Sequence, residues 1–243
     1  MIRLAGRAAV LEATGGGPYV RFATSMATTI EGRATDGGVL WWGDGPLGRL
    51  AHGLGDESTL DELLVHARGM LAGVRRINLP RRVELPAGFT RYDDWDFRWS
   101  ETPPPPQPGE SEVCRIDDAA AIEELLDVAF PDSMLRPGHP MVSDWYGVWS
   151  DGRLVACAAD RSTRPTEPGV PVVGVLGGIA VHPEHRRYGW GAAVTAALTT
   201  RLRYRHSLVG LGVIADNHGA TRLYRRLGFT GAHEITSTRP PVT

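Results

Sequence analysis

Four consecutive prolines at residues 103–106 constrain this chain more than any other feature, because such a run cannot belong to a helix interior or a central strand. The run lies between Thr102 and Gly109 and favours the extended polyproline II form, which makes it a semi-rigid spacer of roughly 12 Å. We therefore predict a domain at 1–101, a linker at 102–111 and a domain at 112–243. A ligand for a proline-binding module is the alternative interpretation of this segment.

The N-terminal unit has an α+β pattern. Apolar runs that predict strands lie at 8–11, 19–23, 39–42 and 96–99. The sequence from Ser58 to Glu62 predicts a capping box, and Leu60, Leu63 and Leu64 continue it at helical spacing. Trp41 and Trp42 are interpreted as core rings, with a pocket lining as the alternative. This unit shows no motif with a recognisable chemistry.

The C-terminal unit alternates strands with helices, which predicts an α/β sheet. Predicted strands lie at 113–116, 145–149, 154–159, 172–181 and 209–215. Asp151-Gly152 predicts a hairpin turn between the second and third of these strands. Predicted helices begin at Asp117 or Asp118 and at Gly189, and a short third helix ends at Gly228 in a left-handed cap.

The segment from Ile179 to Ala192 carries the clearest chemistry. A strand ends at Val181, a turn follows, and Arg186-x-x-Gly189-x-Gly191 opens a helix. Glycines let a backbone approach a ligand closely, free N–H groups at a helix start attract phosphate, and arginines add positive charge. The segment therefore predicts a pyrophosphate site, although a plain glycine turn would look similar. A Rossmann dinucleotide site is disfavoured, because Val194 stands where its third glycine belongs and no acid follows at 208–211.

A second motif, Asn217-x-x-Ala220-x-x-Leu223-Tyr224-x-x-x-Gly228-Phe229, follows the next strand. Together the two segments resemble the GNAT superfamily of N-acetyltransferases over residues 112–238. The resemblance implies a mixed twisted sheet flanked by helices, preceded here by a smaller α+β domain that could be a degenerate copy of the same fold.

The resemblance also implies roles for individual residues. The backbone of Ile179, Ala180 and Val181 would pair with the pantetheine arm of acetyl-CoA. Asn217 would contact the cofactor, and Tyr224 would protonate the departing thiolate. The remaining residues implied to surround the pyrophosphate are Arg186, Arg187, Tyr188, Gly189, Trp190, Gly191 and Ala192.

The chain departs from the family pattern at one point. Many members carry a glutamate on the strand before the glycine-rich loop as the base for the amine, whereas residues 175–179 contain no carboxylate. Asp144, His139 and Asp160 stay open as candidates, acting directly or through water. Arg136 in the loop 131–141 would suit an acceptor with a carboxylate.

Other chemistries are disfavoured. His182 and His185 lack further ligands for a metal, and Cys157 lacks a partner histidine nearby in sequence. All 26 basic residues are arginine and the net charge is −2, which excludes Schiff-base lysine chemistry and gives no nucleic-acid footprint. We find no candidate membrane segment and only two cysteines, so we expect a cytoplasmic protein.

The sequence therefore predicts an acetyl-CoA-dependent N-acetyltransferase that acts on a primary amine of a small molecule or peptide by direct transfer, without a metal. A catalytically silent acyl-CoA sensor is the alternative, motivated by the missing carboxylate. Homodimerisation stays open.

Overall fold

The computed structural model describes residues 1–85, 87–162 and 172–240. These residues form one twelve-stranded mixed sheet flanked by six α-helices. The helices are α1 (Gly6–Thr14), α2 (Pro18–Ser25), α3 (Glu57–Ala67), α4 (Ala119–Ala129), α5 (Trp190–Arg203) and α6 (His218–Arg226). The first six strands are β1 (Ile2–Ala5), β2 (Thr29–Thr35), β3 (Gly38–Gly45), β4 (Gly48–Leu54), β5 (Arg76–Pro80) and β6 (Thr90–Ser100). The other six are β7 (Cys114–Ile116), β8 (Asp144–Ser150), β9 (Arg153–Asp160), β10 (Gly174–Val181), β11 (Val209–Ile214) and β12 (Gly231–Arg239).

Strands from the N-terminal and C-terminal parts of the chain alternate at the centre of this sheet. The strand order is β1-β2-β3-β4-β5-β12-β6-β11-β10-β9-β8-β7. Strand β6 lies between β11 and β12, and β12 in turn pairs antiparallel with β5. Residues before and after the proline-rich segment therefore contribute neighbouring strands at the centre of the sheet.

Two parallel strand pairs interrupt an otherwise antiparallel sheet. One joins β4 to β5 with α3 between them in sequence, and the other joins β10 to β11 with α5 between them. Each is a strand–helix–strand unit, the arrangement that parallel strands require for their crossover. A mixed sheet with flanking helices is the fold class that the sequence predicted.

The hydrophobic core has separate clusters on the two faces of the C-terminal part. Helix α5 packs on one face with Leu176, Leu211 and Phe229, and α4 packs on the other with Leu125 and Trp145. A third cluster places Tyr19 and Phe22 of α2 against Phe97 of β6 and Val175 of β10. The N-terminal helix α2 therefore covers part of the sheet on which the C-terminal motifs lie.

The predicted strands at 8–11 and 19–23 are wrong, because both segments are helical. Pro18 occupies the first position of α2, where its missing N–H costs nothing, and the buried residues Tyr19, Phe22 and Ala23 follow helical spacing. The helix predicted at Ser58 is present, but Asp56 caps it with a 2.9 Å hydrogen bond from the Thr59 N–H. Trp41 and Trp42 are core rings, each 1% exposed.

Strand β12 was not predicted because its central residues are polar. Thr236, Ser237 and Thr238 are buried between β5 and β6. Their hydroxyl groups are satisfied across the sheet: Thr238 donates to the Ile77 carbonyl at 3.1 Å and Ser237 donates to Asn78 at 2.6 Å. Buried polar groups with partners of this kind give no apolar signal in the sequence.

Candidate active site

Strands β10 and β11 separate at one end, and this separation defines the candidate site. Their parallel pairing runs from Gly174–Val209 to Leu176–Leu211 and ends there. Beyond that point β10 stays paired with β9 as far as Val181, and β11 stays paired with β6 as far as Ile214. The two strands therefore keep their outer partners and diverge from each other, which opens a V-shaped gap along residues 177–181.

A β-bulge lies where the gap begins. The register between β10 and β9 shifts between Gly177 and Ala180, and Gly178 adopts a φ of 56°. A side chain at Gly178 would collide with the Trp145 ring, 2.8 Å from its Cβ position. Bulges of this kind bend a strand and re-aim its backbone. Gly178 is thus required by both backbone conformation and space, and Gly177 by the space that Leu135 and Arg161 occupy.

The glycine-rich turn presents the start of α5 without a side-chain cap. Gly189 is the N-cap residue with a φ of 91°, and no side chain accepts a hydrogen bond from the first turn. Arg187 also has a positive φ, 73°, which is uncommon for a residue with a side chain. Free backbone N–H groups at such a turn and at an uncapped helix start can bind an anion.

The two sequence motifs meet at Gly191. A Cβ atom there would lie 3.5 Å from Val181 Cγ2 and 3.6 Å from Leu223 Cδ2. The end of β10, the start of α5 and the middle of α6 therefore converge on one point. Ile179, Val181, Trp190, Ala220 and Leu223 all pack against the same core cluster.

The predicted pyrophosphate residues play different structural parts. The Arg186 guanidinium donates to the carbonyls of Val181 at 3.4 Å and Ala129 at 3.5 Å, so it ties the turn to α4. The Trp190 ring lies against Gly109 of the proline-rich segment. Tyr188 is 74% exposed, and Ala192 is buried in the α5 core. Arg187 is exposed beside the helix start, where its charge favours an anion.

Asn217 is the N-cap of α6. Its side-chain oxygen accepts a 3.0 Å hydrogen bond from the Ala220 N–H. The amide group of the same side chain is a donor that the cap does not use. Asn217 can therefore shape the start of α6 and still donate to a ligand.

Tyr224 is buried in the core cluster under α5, with 7% of its surface exposed. Its ring contacts Phe229 edge-on at a centroid distance of 6.2 Å. Burial raises the pKa of its phenol to about 12, so the hydroxyl keeps its proton throughout the neutral range. Among the described residues it has no hydrogen-bond partner, which leaves the hydroxyl free to donate to a ligand.

The three candidate bases differ in the ion pairs and hydrogen bonds that they make. Asp144 accepts a 2.7 Å bond from Arg115. Asp160 is 1% exposed and pairs with Arg205 at 2.9 Å. His139 accepts from the Met141 N–H at 3.2 Å through Nδ1 and takes part in no ion pair within the described ranges.

The other features considered from the sequence are Cys157, a metal site, a membrane segment and Arg136. Burial raises the pKa of the Cys157 thiol to about 12, which leaves little thiolate for nucleophilic attack. No group of three or more His, Cys, Asp or Glu side chains suited to a metal occurs in the part of the chain that the structure describes. No helix in the described ranges is long and apolar enough to cross a membrane. Arg136 donates to Glu123 at 2.8 Å and Asp127 at 2.7 Å, so its charge is already paired.

Two features of the site escaped the sequence analysis. The first is the bulge at Gly177 and Gly178, for which the adjacent glycines were a usable signal. The second is Arg161, which follows β9 and lies against Gly177. No local pattern marks Arg161, because its neighbours come from distant parts of the chain.

The comparisons with known proteins agree with this geometry. Residues 166–237 match the FR47-like protein family. No curated protein matches the chain. Its structure is similar to a GNAT-family protein from Novosphingobium aromaticivorans, with 21% identity, a TM-score of 0.58, and 96% of this chain and 97% of that one covered. A GCN5-related N-acetyltransferase from Kribbella flavida is similar at 20% identity and a TM-score of 0.57, covering 98% and 96% of the two chains.

A third similar structure extends over both halves of the chain. It is a tandem GNAT protein from the clavulanic acid biosynthesis pathway, with 15% identity, a TM-score of 0.50, and 98% of this chain and 97% of that one covered. The resemblance inferred from the two motifs is thereby confirmed. The chain has the fold of the GNAT superfamily, and its C-terminal part matches the FR47-like family.

Proposed function

We propose that this protein transfers an acetyl group from acetyl-CoA to the primary amine of a small molecule or peptide. The separation of β10 from β11 beside the uncapped start of α5 is the observation that carries the proposal. The strand backbone at residues 179–181 has lost its partner on one side, so its N–H and C=O groups are available to the amide groups of a pantetheine arm. The N–H groups and Arg187 next to it suit the pyrophosphate at the other end of that arm.

Two groups of this chain would act on the reacting atoms. The acceptor nitrogen attacks the thioester carbonyl, a C–N bond forms, and the C–S bond then breaks. Tyr224 would give its proton to the departing thiolate, for which a protonated phenol is required. The proton that the acetylated nitrogen releases as the amide forms would restore the phenol. The ammonium form of the acceptor must first lose a proton to water or to a base, and His139 is the candidate base outside any ion pair among the described residues.

Calorimetric titration of the purified protein with acetyl-CoA tests the binding half of the proposal. We expect one site per chain in the micromolar range, and weaker binding of coenzyme A alone would show that the acyl group is sensed. Longer acyl forms define the donor. If none of these molecules binds, the proposed function is wrong.

The substitution Tyr224→Phe tests the chemical half. We expect kcat to fall by roughly 10²-fold, the usual size of a general-acid contribution, with the affinity for acetyl-CoA unchanged. Tyr204→Phe is the matched control, because Tyr204 is 87% exposed and lies at the far end of α5. A Tyr224→Phe rate within twofold of wild type would remove the phenol from the mechanism. Tight acetyl-CoA binding with no acceptor-dependent thiol release would instead indicate the silent sensor.

A further inference from the structure

Arg161 lies where β10 leaves β11. Its backbone N–H donates to the Val175 carbonyl at 2.9 Å, which fixes the residue beside the last paired part of β10. Its side chain then runs across Gly177, where a Cβ atom would lie 2.7 Å from Arg161 Cδ and 2.5 Å from Leu135 Cδ1. The absence of a side chain at Gly177 therefore gives the Arg161 stem its place over β10, one residue beyond the last pair of β10 with β11.

The guanidinium of Arg161 has no anionic partner among the described residues. Its Nη2 atom lies 3.6 Å from the Met26 sulfur and 4.0 Å from the Met141 sulfur, which are weak acceptors. Its Nε atom is buried without a hydrogen-bond partner. By contrast, Arg136 and Arg205 each reach a carboxylate within 2.9 Å.

The surroundings make such a cation costly. Burial lowers the pKa of Arg161 only to about 10, so the side chain is still charged at neutral pH. Met26, Leu135 and Met141 supply apolar surface around it, and a charge in such a setting is unfavourable unless an opposite charge joins it. Arg161 as a whole residue nevertheless keeps partial exposure to solvent, although its Nε atom is buried. Its donor set, a planar fork of N–H groups, matches a carboxylate.

We propose that Arg161 binds a carboxylate of the acceptor, and that the acceptors are small amines that carry a carboxylate, namely amino acids. This rests on the proposed function, which puts the acetyl group near Ile179. Gly177 precedes Ile179 by two residues, which puts their Cα atoms at most about 7 Å apart across the bulge. One molecule can span that distance with its amine at the thioester and its carboxylate at Arg161 only when a few bonds separate the two groups. The site so assigned is a specificity determinant, distinct from the pyrophosphate turn.

Matched acceptors test the assignment. The measurement is thiol release from acetyl-CoA with a panel of amino acids, each compared with its own carboxamide. We expect wild type to favour the acids by at least tenfold in kcat/KM. Arg161→Gln should lower kcat/KM for the acids by roughly 10- to 100-fold, the range for loss of a charge-assisted hydrogen bond, and leave the carboxamides unchanged. Arg161→Lys, which keeps the charge but not the fork, should lie between the two.

The controls separate this proposal from the proposed function. The affinity for acetyl-CoA should be the same in wild type and both variants, which also shows that they fold. Arg153→Gln is the matched substitution, because Arg153 begins β9, the strand that Arg161 follows, and pairs with Glu124 at 3.2 Å. It should leave the preference intact. If acetyl-CoA binds and carboxamides react as fast as acids, or Arg161→Gln slows both alike, the assignment of Arg161 is overturned and acetyl transfer stands. If acetyl-CoA does not bind at all, the proposed function fails and the assignment fails with it.

Discussion

The two strand–helix–strand units of this chain share a topology and differ in their electrostatics. In the N-terminal unit β4 pairs in parallel with β5 as far as His52 and Asn78, and α3 then begins at the Asp56 cap. In the C-terminal unit β10 pairs with β11 as far as Leu176 and Leu211, and α5 begins without a side-chain cap. A carboxylate thus occupies the helix start in one unit, and arginines precede it in the other.

The side chains at the last strand pair also differ between the two units. In the N-terminal unit the side chains of His52 and Asn78 contact each other at 3.4 Å, and the Tyr19 hydroxyl bonds to His52 at 2.9 Å. The Trp41 ring stacks on His52 with a centroid distance of 5.3 Å. At the last β4–β5 pair, buried polar side chains thus bond to each other and to a ring of α2, whereas leucines stand at the last β10–β11 pair. The same topology therefore makes a closed core in one half and a candidate ligand site in the other.

The largest expected effect breaks the C-terminal unit alone. Gly189→Asp would place a carboxylate at the start of α5, as Asp56 does for α3, and should weaken acetyl-CoA binding by at least roughly 10²-fold through repulsion of the phosphates. Gly189→Asn is the matched control, because asparagine has the shape of aspartate and bears the same backbone strain at a φ of 91°, but carries no charge. It should keep affinity within a few-fold of wild type. Equal losses in the two variants, measured by calorimetry, would show that shape and not charge matters at this turn.

A smaller effect tests the closed core of the N-terminal unit. Burial, with help from His233, lowers the pKa of His52 to about 3. Between pH 6.5 and about 3, His52 is protonated in the unfolded chain but not in the folded protein. The free energy of unfolding is therefore full above pH 6.5 and falls as the pH drops below it. At pH 5 this costs about 2 kcal/mol. Urea unfolding at pH 8 and pH 5 measures the total pH dependence, to which His233 and His206 also contribute because burial lowers their pKa values.

Two variants assign that pH dependence. In His52→Gln, the difference in the free energy of unfolding between pH 8 and pH 5 should shrink by about 2 kcal/mol. His66→Gln should keep the wild-type difference, because His66 is exposed on α3. A wild-type pH dependence in His52→Gln would mean that the buried imidazole is not its source.

The smallest effect concerns the cap that distinguishes the two helix starts. Asp56→Ala removes the acceptor for the Thr59 N–H and should lower Tm by roughly 2–4 °C, the size expected for a lost cap in a chain of this length. Asp56→Asn keeps a side-chain acceptor and should remain near wild type. Neither substitution should alter acetyl-CoA affinity. A change in that affinity would contradict the assignment of the ligand to the C-terminal unit alone.

Local physics made the C-terminal unit predictable. The hairpin at Asp151-Gly152, the cap at Asp118 and the left-handed Gly228 each follow from one or two residues, and all three are present. The N-terminal unit was harder, because α1 and α2 are short helices whose apolar runs also suit strands. The division of the chain at the prolines stays a prediction. Strand β6, before the prolines, pairs with β12, which follows them.

The sequence by itself determined the glycine-rich helix start and the placement of Asn217 and Tyr224 after the following strand, because short-range backbone rules encode these elements. The two motifs together carried the resemblance to the GNAT superfamily. Only the tertiary structure decided the rest: the alternation of N- and C-terminal strands at the centre of the sheet, the gap where β10 leaves β11, and the pairing of Arg136 with carboxylates while Arg161 has none among the described residues. Each of these depends on which distant residues come together. Long-range strand pairing and the pairing of distant charges produce no periodic pattern of residues in the sequence.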